Sequence, residues 1–220
     1  MRPFRTSPAR RRAPVPAVAV ALGVAALLAL ASCGNAARSG AVASVSPTPT
    51  SEFRGAMYPH PHPRPHFVLT DQQGQRYDFG ARTAGTVTFL YFGYTHCPDV
   101  CPTTMADLAT ALRSLPGPLR DTVQVVFVTT DPKRDTPKAI GAWLAHFDPD
   151  LHTKFVGLTG GQAEIDGAQR AAGVPLAEDD GQTHSAQLLL YGPDDVSRVF
   201  YLQGASPRDI AHDIPLIAKG

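Results

Sequence analysis

The stretch TVTFLYFGYTHCPDVCPTTM, residues 86–105, constrains this chain more than any other. Its first seven residues, Thr86 to Phe92, are β-branched and aromatic with almost no polar interruption, the character of a strand covered on both faces. Such a strand needs other layers on either side of it, which implies a sheet inside an α/β fold. A helix is predicted over 102–115, where Met105, Leu108, Leu112 and Leu115 recur near helical spacing. Cys97 and Cys101 therefore fall where strand passes into helix. Unpaired backbone N–H groups at a helix start favour negative charge, so a thiolate forms more readily there. Pro98 and Pro102 stiffen the same turn.

The other elements fit around that unit. Phe67–Leu69, a turn through Asp71 to Gly74, and Arg76–Phe79 predict an N-terminal β-hairpin. Val123–Val128 predicts a second buried strand, Thr136–Phe147 a helix with Pro137 in its first turn, and Phe155–Leu158 a short strand. Gln162–Ala172 predicts a helix stopped by Gly173. Gln187–Tyr191, a turn at Gly192–Asp195 and Arg198–Leu202 predict a closing hairpin. A last helix is predicted from Pro207 to about Ala211, disturbed by Pro215. Strands alternating with helices indicate an α/β class, and a cysteine pair at the first buried strand–helix join points to its thioredoxin-like variant. The expected fold is a central mixed sheet flanked by helices, with an N-terminal β-hairpin.

Upstream, the composition changes twice. Arg2, Arg5, Arg10, Arg11 and Arg12 precede an apolar run from Val15 to Leu30, which ends in the small residues Ala31-Ser32-Cys33. A basic head, apolar middle and small-residue end make a secretory signal over residues 1–33. The run is near the lower limit for a membrane span, which needs roughly 20 residues, so its length suits a cleaved signal or an uncleaved anchor. Leu30-Ala31-Ser32-Cys33 resembles the bacterial lipoprotein signal, in which the cysteine is lipidated and becomes the mature N-terminus. Residues 34–57, rich in Ala, Ser, Gly, Pro and Thr, read as a flexible tether, and residues 58–220 as the folded domain. The domain is then expected at the extracytoplasmic face of the cell membrane, lipid-anchored at Cys33. The strip YPHPHPRPHF reads as an extended polar linker, although His60, His62 and His66 could capture a transition metal loosely.

The formal charge of +1 gives no broad electrostatic footprint for nucleic acid. Of three cysteines, lipidation of Cys33 leaves only Cys97 and Cys101 as thiols. No disulfide framework staples the fold, so an ordinary hydrophobic core must hold it. Two thiols are too few for the usual iron–sulfur cluster. Covalent haem attachment needs a His after the second Cys, and here His96 precedes the first. Structural zinc generally takes four protein ligands. Copper fits better, because thiolates suit Cu(I) and an added imidazole also suits Cu(II). Among eight histidines, His96 is placed to tune Cys97 or to point to solvent, while His146, His152 and His212 have surface settings. His184, just before the apolar strand Gln187–Tyr191, is either a third ligand or an exposed loop residue. Cys97 and Cys101 can also form a disulfide, which keeps thiol exchange open as a second chemistry.

Three blocks carry a resemblance: GYTHCPDVCP (93–102), TTDPKRDTP (129–137) and THSAQLLLYGPDD (183–195). In this order they resemble the signature blocks of the Sco/SenC family, membrane-tethered copper proteins that assist assembly of the CuA centre of cytochrome c oxidase. The likeness covers roughly residues 65–220. It implies a thioredoxin-like fold in which Cys97, Cys101 and His184 bind copper, as Cu(I) and Cu(II), with Asp131 near the metal or at a docking surface. It also implies two partners, the CuA-bearing oxidase subunit and an extracytoplasmic copper donor. The alternative is a thiol–disulfide reductase that keeps the CuA cysteines reduced through a Cys97–Cys101 disulfide. Arg134 and Asp135 are expected to pair or, for Asp135 or Thr136, to cap a helix. The family often has an acidic residue immediately before its His. Thr183 stands there instead, so Asp179 or Asp180 is the candidate support for His184.

Overall fold

A computed structural model describes residues 51–219. The signal segment, Cys33 and most of the tether lie outside them. The centre is a single eight-stranded mixed sheet in the order β1-β8-β7-β4-β5-β6-β2-β3. Its strands are β1 (Ala56–Pro63), β2 (Val68–Asp71), β3 (Arg76–Asp78), β4 (Thr88–Gly93), β5 (Gln124–Thr129), β6 (Val156–Thr159), β7 (Leu188–Tyr191) and β8 (Val196–Tyr201). β4 lies parallel to β5 and antiparallel to β7, and β5 is parallel to β6. The predicted N-terminal hairpin is β2–β3, which joins the sheet through β6.

Six α-helices accompany this sheet among the described residues: α1 (Phe79–Thr83), α2 (Val100–Arg113), α3 (Gly117–Arg120), α4 (Pro137–Leu144), α5 (Gln162–Ala171) and α6 (Pro207–Ile217). Successive strand residues point to opposite faces, and β4 supplies both cores. Phe89 and Tyr91 pack with Met105, Leu108 and Leu112 of α2, Ile140 of α4, and Ile210 and Ile214 of α6. Leu90 and Phe92 pack on the other face with Phe79, Val126, Leu158 and Ile165. All six β4 residues are buried, which is why their sequence shows no alternation. The outcome is the thioredoxin-like architecture.

Three segments differ from the sequence expectation. The Pro/His strip is an edge strand, not a linker: β1 pairs antiparallel with β8, its register slipping between Met57 and His62. Prolines are tolerated at a sheet edge because the missing N–H would face away from any partner, and Tyr58 packs on Phe200 with ring centroids 4.5 Å apart. Just upstream, the backbone N–H groups of Arg54 and Gly55 donate to the buried Asp213 carboxylate, so packing starts before residue 58. The second difference is α6, which continues through Pro215 to Ile217. Burial of Ile210, Ile214 and Ile217 against the sheet outweighs the one backbone hydrogen bond that Pro215 removes. Third, α2 starts at Val100, which leaves Cys97 in the preceding turn and places Cys101 in the first turn. Among the described residues, no helix is long and apolar enough to cross a membrane.

Candidate metal centre

Cys97, Cys101 and His184 come together at the end of β4. One sulfur from each cysteine and one ring nitrogen of His184 lie within 4.8 Å of one another. Cys101 Sγ is 3.4 Å from His184 Nε2, and the Cys101 backbone N–H donates toward Cys97 Sγ across 3.4 Å. Both cysteines are free thiols. His184 Nδ1 lies 3.0 Å from the Ser185 carbonyl. A carbonyl only accepts, so Nδ1 carries the proton and Nε2 turns its lone pair toward the sulfurs. Burial pushes the His184 ring below its ordinary value, despite opposing hydrogen bonds to the Ser185 and Phe92 backbone. The ring is therefore held neutral, the form that can act as a ligand.

The two thiols are unlike. Partial burial acts to raise the Cys97 thiol, but backbone N–H groups of Cys101, Asp99 and Val100 outweigh it and bring the thiol below its usual range. These are the orphan donors at the start of α2. Cys101 is fully buried, and burial pushes its thiol up to about 12. Its sulfur is contacted by the Tyr91 hydroxyl at 3.8 Å. The outer thiol is therefore the more readily ionised of the two, and the inner one holds its proton.

Close approach at this point requires Gly93. A methyl group there would stand 2.7 Å from Cys101 Sγ and 2.8 Å from the Tyr91 ring. The turn before Cys97 is pinned by Asp135, a buried carboxylate. It accepts from the Thr95 N–H at 2.9 Å, the Thr95 hydroxyl at 2.5 Å and the Thr129 hydroxyl at 2.7 Å. Thr136, not Asp135, caps α4 through the Ala139 N–H. The loop carrying His184 is fastened to the β5 end, where the Thr130 hydroxyl donates to the Gly181 carbonyl at 2.7 Å. Gly181 has φ +88°, and a Cβ on it would sit 2.0 Å from the Thr130 carbonyl oxygen.

Asp131 is 2% exposed and pairs with Arg134, whose guanidinium lies 5.8 Å from the centre of the Tyr94 ring. Tyr94 in turn meets the His184 ring edge-on at 5.6 Å. Asp131 thus reaches the site through Arg134 and Tyr94. Asp179 and Asp180 do not support His184: Asp179 accepts from the Thr183 hydroxyl, and Asp180 pairs with Lys133 at 2.6 Å. The Ser185 carbonyl performs that task. His96 is exposed and lies 3.5 Å from Asp135. The strip histidines diverge, with His62 against Tyr58 and His66 over Gly80. Sequence reasoning missed Asp135, Thr130 and Gly181 as site-forming residues. Only the φ-tolerant glycine in an otherwise polar loop hinted at the last of them.

Comparisons with known proteins give the chain its family. The sequence model described as SCO1/SenC matches residues 56–219. The chain belongs to the SCO1/SenC family. It is 36% identical over 137 residues to a Stutzerimonas stutzeri protein whose name proposes copper binding, covering 59% of this chain and 64% of that protein. Among solved SCO1/SenC structures, ScoI of Bradyrhizobium japonicum with copper bound superposes with a TM-score of 0.59. It is 32% identical, covering 70% of this chain and 98% of that one. The copper-bound ScoI of Arabidopsis thaliana gives 0.60 at 28% identity, covering 71% and 99%. The chain spans 45–66% of the length of the first curated relatives it matches.

Proposed function

We propose that this protein is a membrane-tethered, extracytoplasmic copper protein that assists assembly of the CuA centre of cytochrome c oxidase. The observation that carries this reading is the convergence of two free thiols and a neutral imidazole nitrogen within 4.8 Å. That donor set fits copper: the sulfurs are soft and polarizable, and the imidazole extends the match to Cu(II). Cys97 Sγ, Cys101 Sγ and His184 Nε2 would hold the ion, which supplies a one-electron couple and is itself the cargo. With both sulfurs deprotonated, the Cu(I) site carries one net negative charge and the Cu(II) site none.

The chain's own residues define the rest. Ser185 fixes the His184 tautomer, the N–H groups ahead of α2 stabilise the outer thiolate, and Gly93 lets the inner sulfur sit against the sheet. A cleft of about 400 Å³, lined by Tyr94, Cys97, Pro98, Thr183 and His184, opens over this side and gives a partner access to Cys97. Asp131 acts through Arg134 to hold Tyr94 beside the ligand His. The remaining parts of the reading are a signal over residues 1–33 with a lipid anchor at Cys33, a tether from residue 34 that ends where packing begins at Arg54, the folded domain beyond it, an extracytoplasmic copper donor, and the CuA-bearing subunit as recipient.

A second reading is favoured by the unequal thiols. In it Cys97 thiolate attacks a disulfide on the CuA-bearing subunit, forming a mixed disulfide and releasing one partner thiolate. Cys101, giving up its proton, then attacks Cys97 Sγ and releases the second partner thiolate. Two electrons pass to the subunit, and an external dithiol must reduce the resulting Cys97–Cys101 disulfide.

Copper titration of the reduced domain, beside His184→Ala and Cys97→Ser, separates the two. The metal reading expects one copper per domain, affinity lowered more than about 100-fold in His184→Ala, and loss of oxidase assembly in both variants. If His184→Ala assembles oxidase normally while Cys97→Ser does not, thiol exchange replaces it.

A further inference from the structure

Next to the metal centre lies a second, more enclosed cleft of about 130 Å³, between α2 and the turn that joins β8 to α6. Its floor is apolar, formed by Leu188, Tyr201 and Ile210, and Thr103 and Thr104 of α2 form one wall. It shares Asp99, Val100, Ala186 and Gln203 with the cleft over Cys97 and His184, so the two make one continuous groove. Leu202 stands on the lip at 59% exposure, more than Met57 or Leu176, the other exposed large apolar side chains among the described residues. An apolar cavity of about 150 Å³ takes one benzene ring, so this one is sized for a single apolar side chain.

Charge narrows the occupant further. Asp99 and Asp107 line the groove, and no Lys or Arg lines either cleft. Neither carboxylate takes part in an ion pair among the described residues. Burial at the groove wall raises the Asp107 carboxyl, so this acid lacks a compensating cation. The basic side chains near the metal centre, Lys133 and Arg134, are already engaged by Asp180 and Asp131.

The geometry points to a docking groove for an extended segment of a partner protein that presents one apolar side chain flanked by Lys or Arg. The apolar side chain fills the enclosed cleft, the cations meet Asp99 and Asp107, and the partner chain runs on toward Cys97. This rests on the copper or thiol-exchange reading only for the partner's identity. The groove itself follows from shape and charge.

The test uses the protein with backbone amides followed by NMR, and the probe peptides acetyl-Gly-Lys-Leu-Lys-Gly-amide and acetyl-Gly-Glu-Leu-Glu-Gly-amide. The Lys peptide is expected to shift the Thr103, Ala186 and Gly204 amides saturably, and the Glu peptide to bind at least about tenfold more weakly. Leu202→Asp and Asp107→Lys should each weaken the Lys peptide by about tenfold while leaving copper affinity within about twofold of the parent. Equal response to both peptides, no response, or unaltered binding by both variants overturns the groove. Shifts that track protein concentration without peptide would assign the groove to a second copy of this chain and equally overturn it. Copper titration of the same samples reports separately: peptide binding without copper binding leaves the groove standing and removes the metal reading.

Discussion

Cys97 and Cys101 are four residues apart yet sit in opposite environments, one at the mouth of a cleft and one sealed against Tyr91 and Gly93. In metal-free protein at neutral pH, Cys97 should be alkylated by iodoacetamide well before Cys101. Its rate should reach half-maximum at a pH below that of an ordinary thiol, because a lowered value enlarges the thiolate fraction at any given pH. Peptide mapping of partly alkylated protein reads the order directly, and equal labelling would contradict the assigned asymmetry. Gly93 makes a second point at this scale. The methyl group of Gly93→Ala would press on the Cys101 sulfur and the Tyr91 ring together. Overpacking of this kind costs about 1–3 kcal/mol. Denaturant melts should show that loss and, under the copper reading proposed above, weaker copper binding, since the displaced sulfur would be a ligand. A variant that loses stability but keeps affinity would show that the sulfur had not moved.

At the scale of elements, the site is assembled where β4, the start of α2, the end of β5 and the 178–184 loop meet. Two short ties do this, Asp135 to Thr95 and Thr130 to Gly181. The second tie depends on a left-handed backbone at Gly181, a conformation that disfavours any side chain by about 1–2 kcal/mol. Gly181→Ala also drives a methyl group into the Thr130 carbonyl, so the loop should detach rather than adapt. Hydrogen exchange should then speed up over residues 178–185, with the β4 and β5 amides still protected. Copper affinity should fall in step, because His184 rides on that loop. Unchanged exchange would mean that the loop is held by something other than this contact.

For the molecule as a whole, long-range polar clamps matter as much as the two cores. Arg64 is buried and donates to Asp195 Oδ1 at 2.7 Å, the Thr83 hydroxyl, and the carbonyls of Thr86 and Gly192, tying β1, α1 and the β7–β8 turn together. The Gly85 N–H and the Arg64 guanidinium hold the Asp195 carboxyl below the usual carboxylate range. A depressed value means that the carboxylate adds stability above its unfolded value of about 3.9 and loses it as pH falls through the folded value. Asp195→Asn should therefore lower the urea midpoint at pH 7, and wild type and variant should converge in strong acid. Because Asp195 is half exposed, the difference at pH 7 should be about 1 kcal/mol or less. Parallel curves at both pH values would mean that the carboxylate's charge has no part in the clamp.

The sequence by itself determined the strand–helix alternation, the doubly buried β4, and the placement of Cys97 and Cys101 at the join, because these follow from local periodicity and spacing. His184 was also within reach, since a motif resemblance singled it out among eight histidines. Only the tertiary structure decided what holds the site residues in register. Asp135 reaches Thr95 across 40 positions, Thr130 reaches Gly181 across 51, and Asp213 receives the Arg54 N–H across 159. No periodicity encodes such pairings, because their energy exists only once the sheet has brought the loops together. The same holds where local preference was overruled. The proline-rich strip became an edge strand because β8 offered it hydrogen bonds, and α6 ran through Pro215 because three isoleucines gained burial. Backbone preferences are worth a few kcal/mol at most, and apolar burial at about 25 cal/mol per Å² exceeds them once the chain is folded.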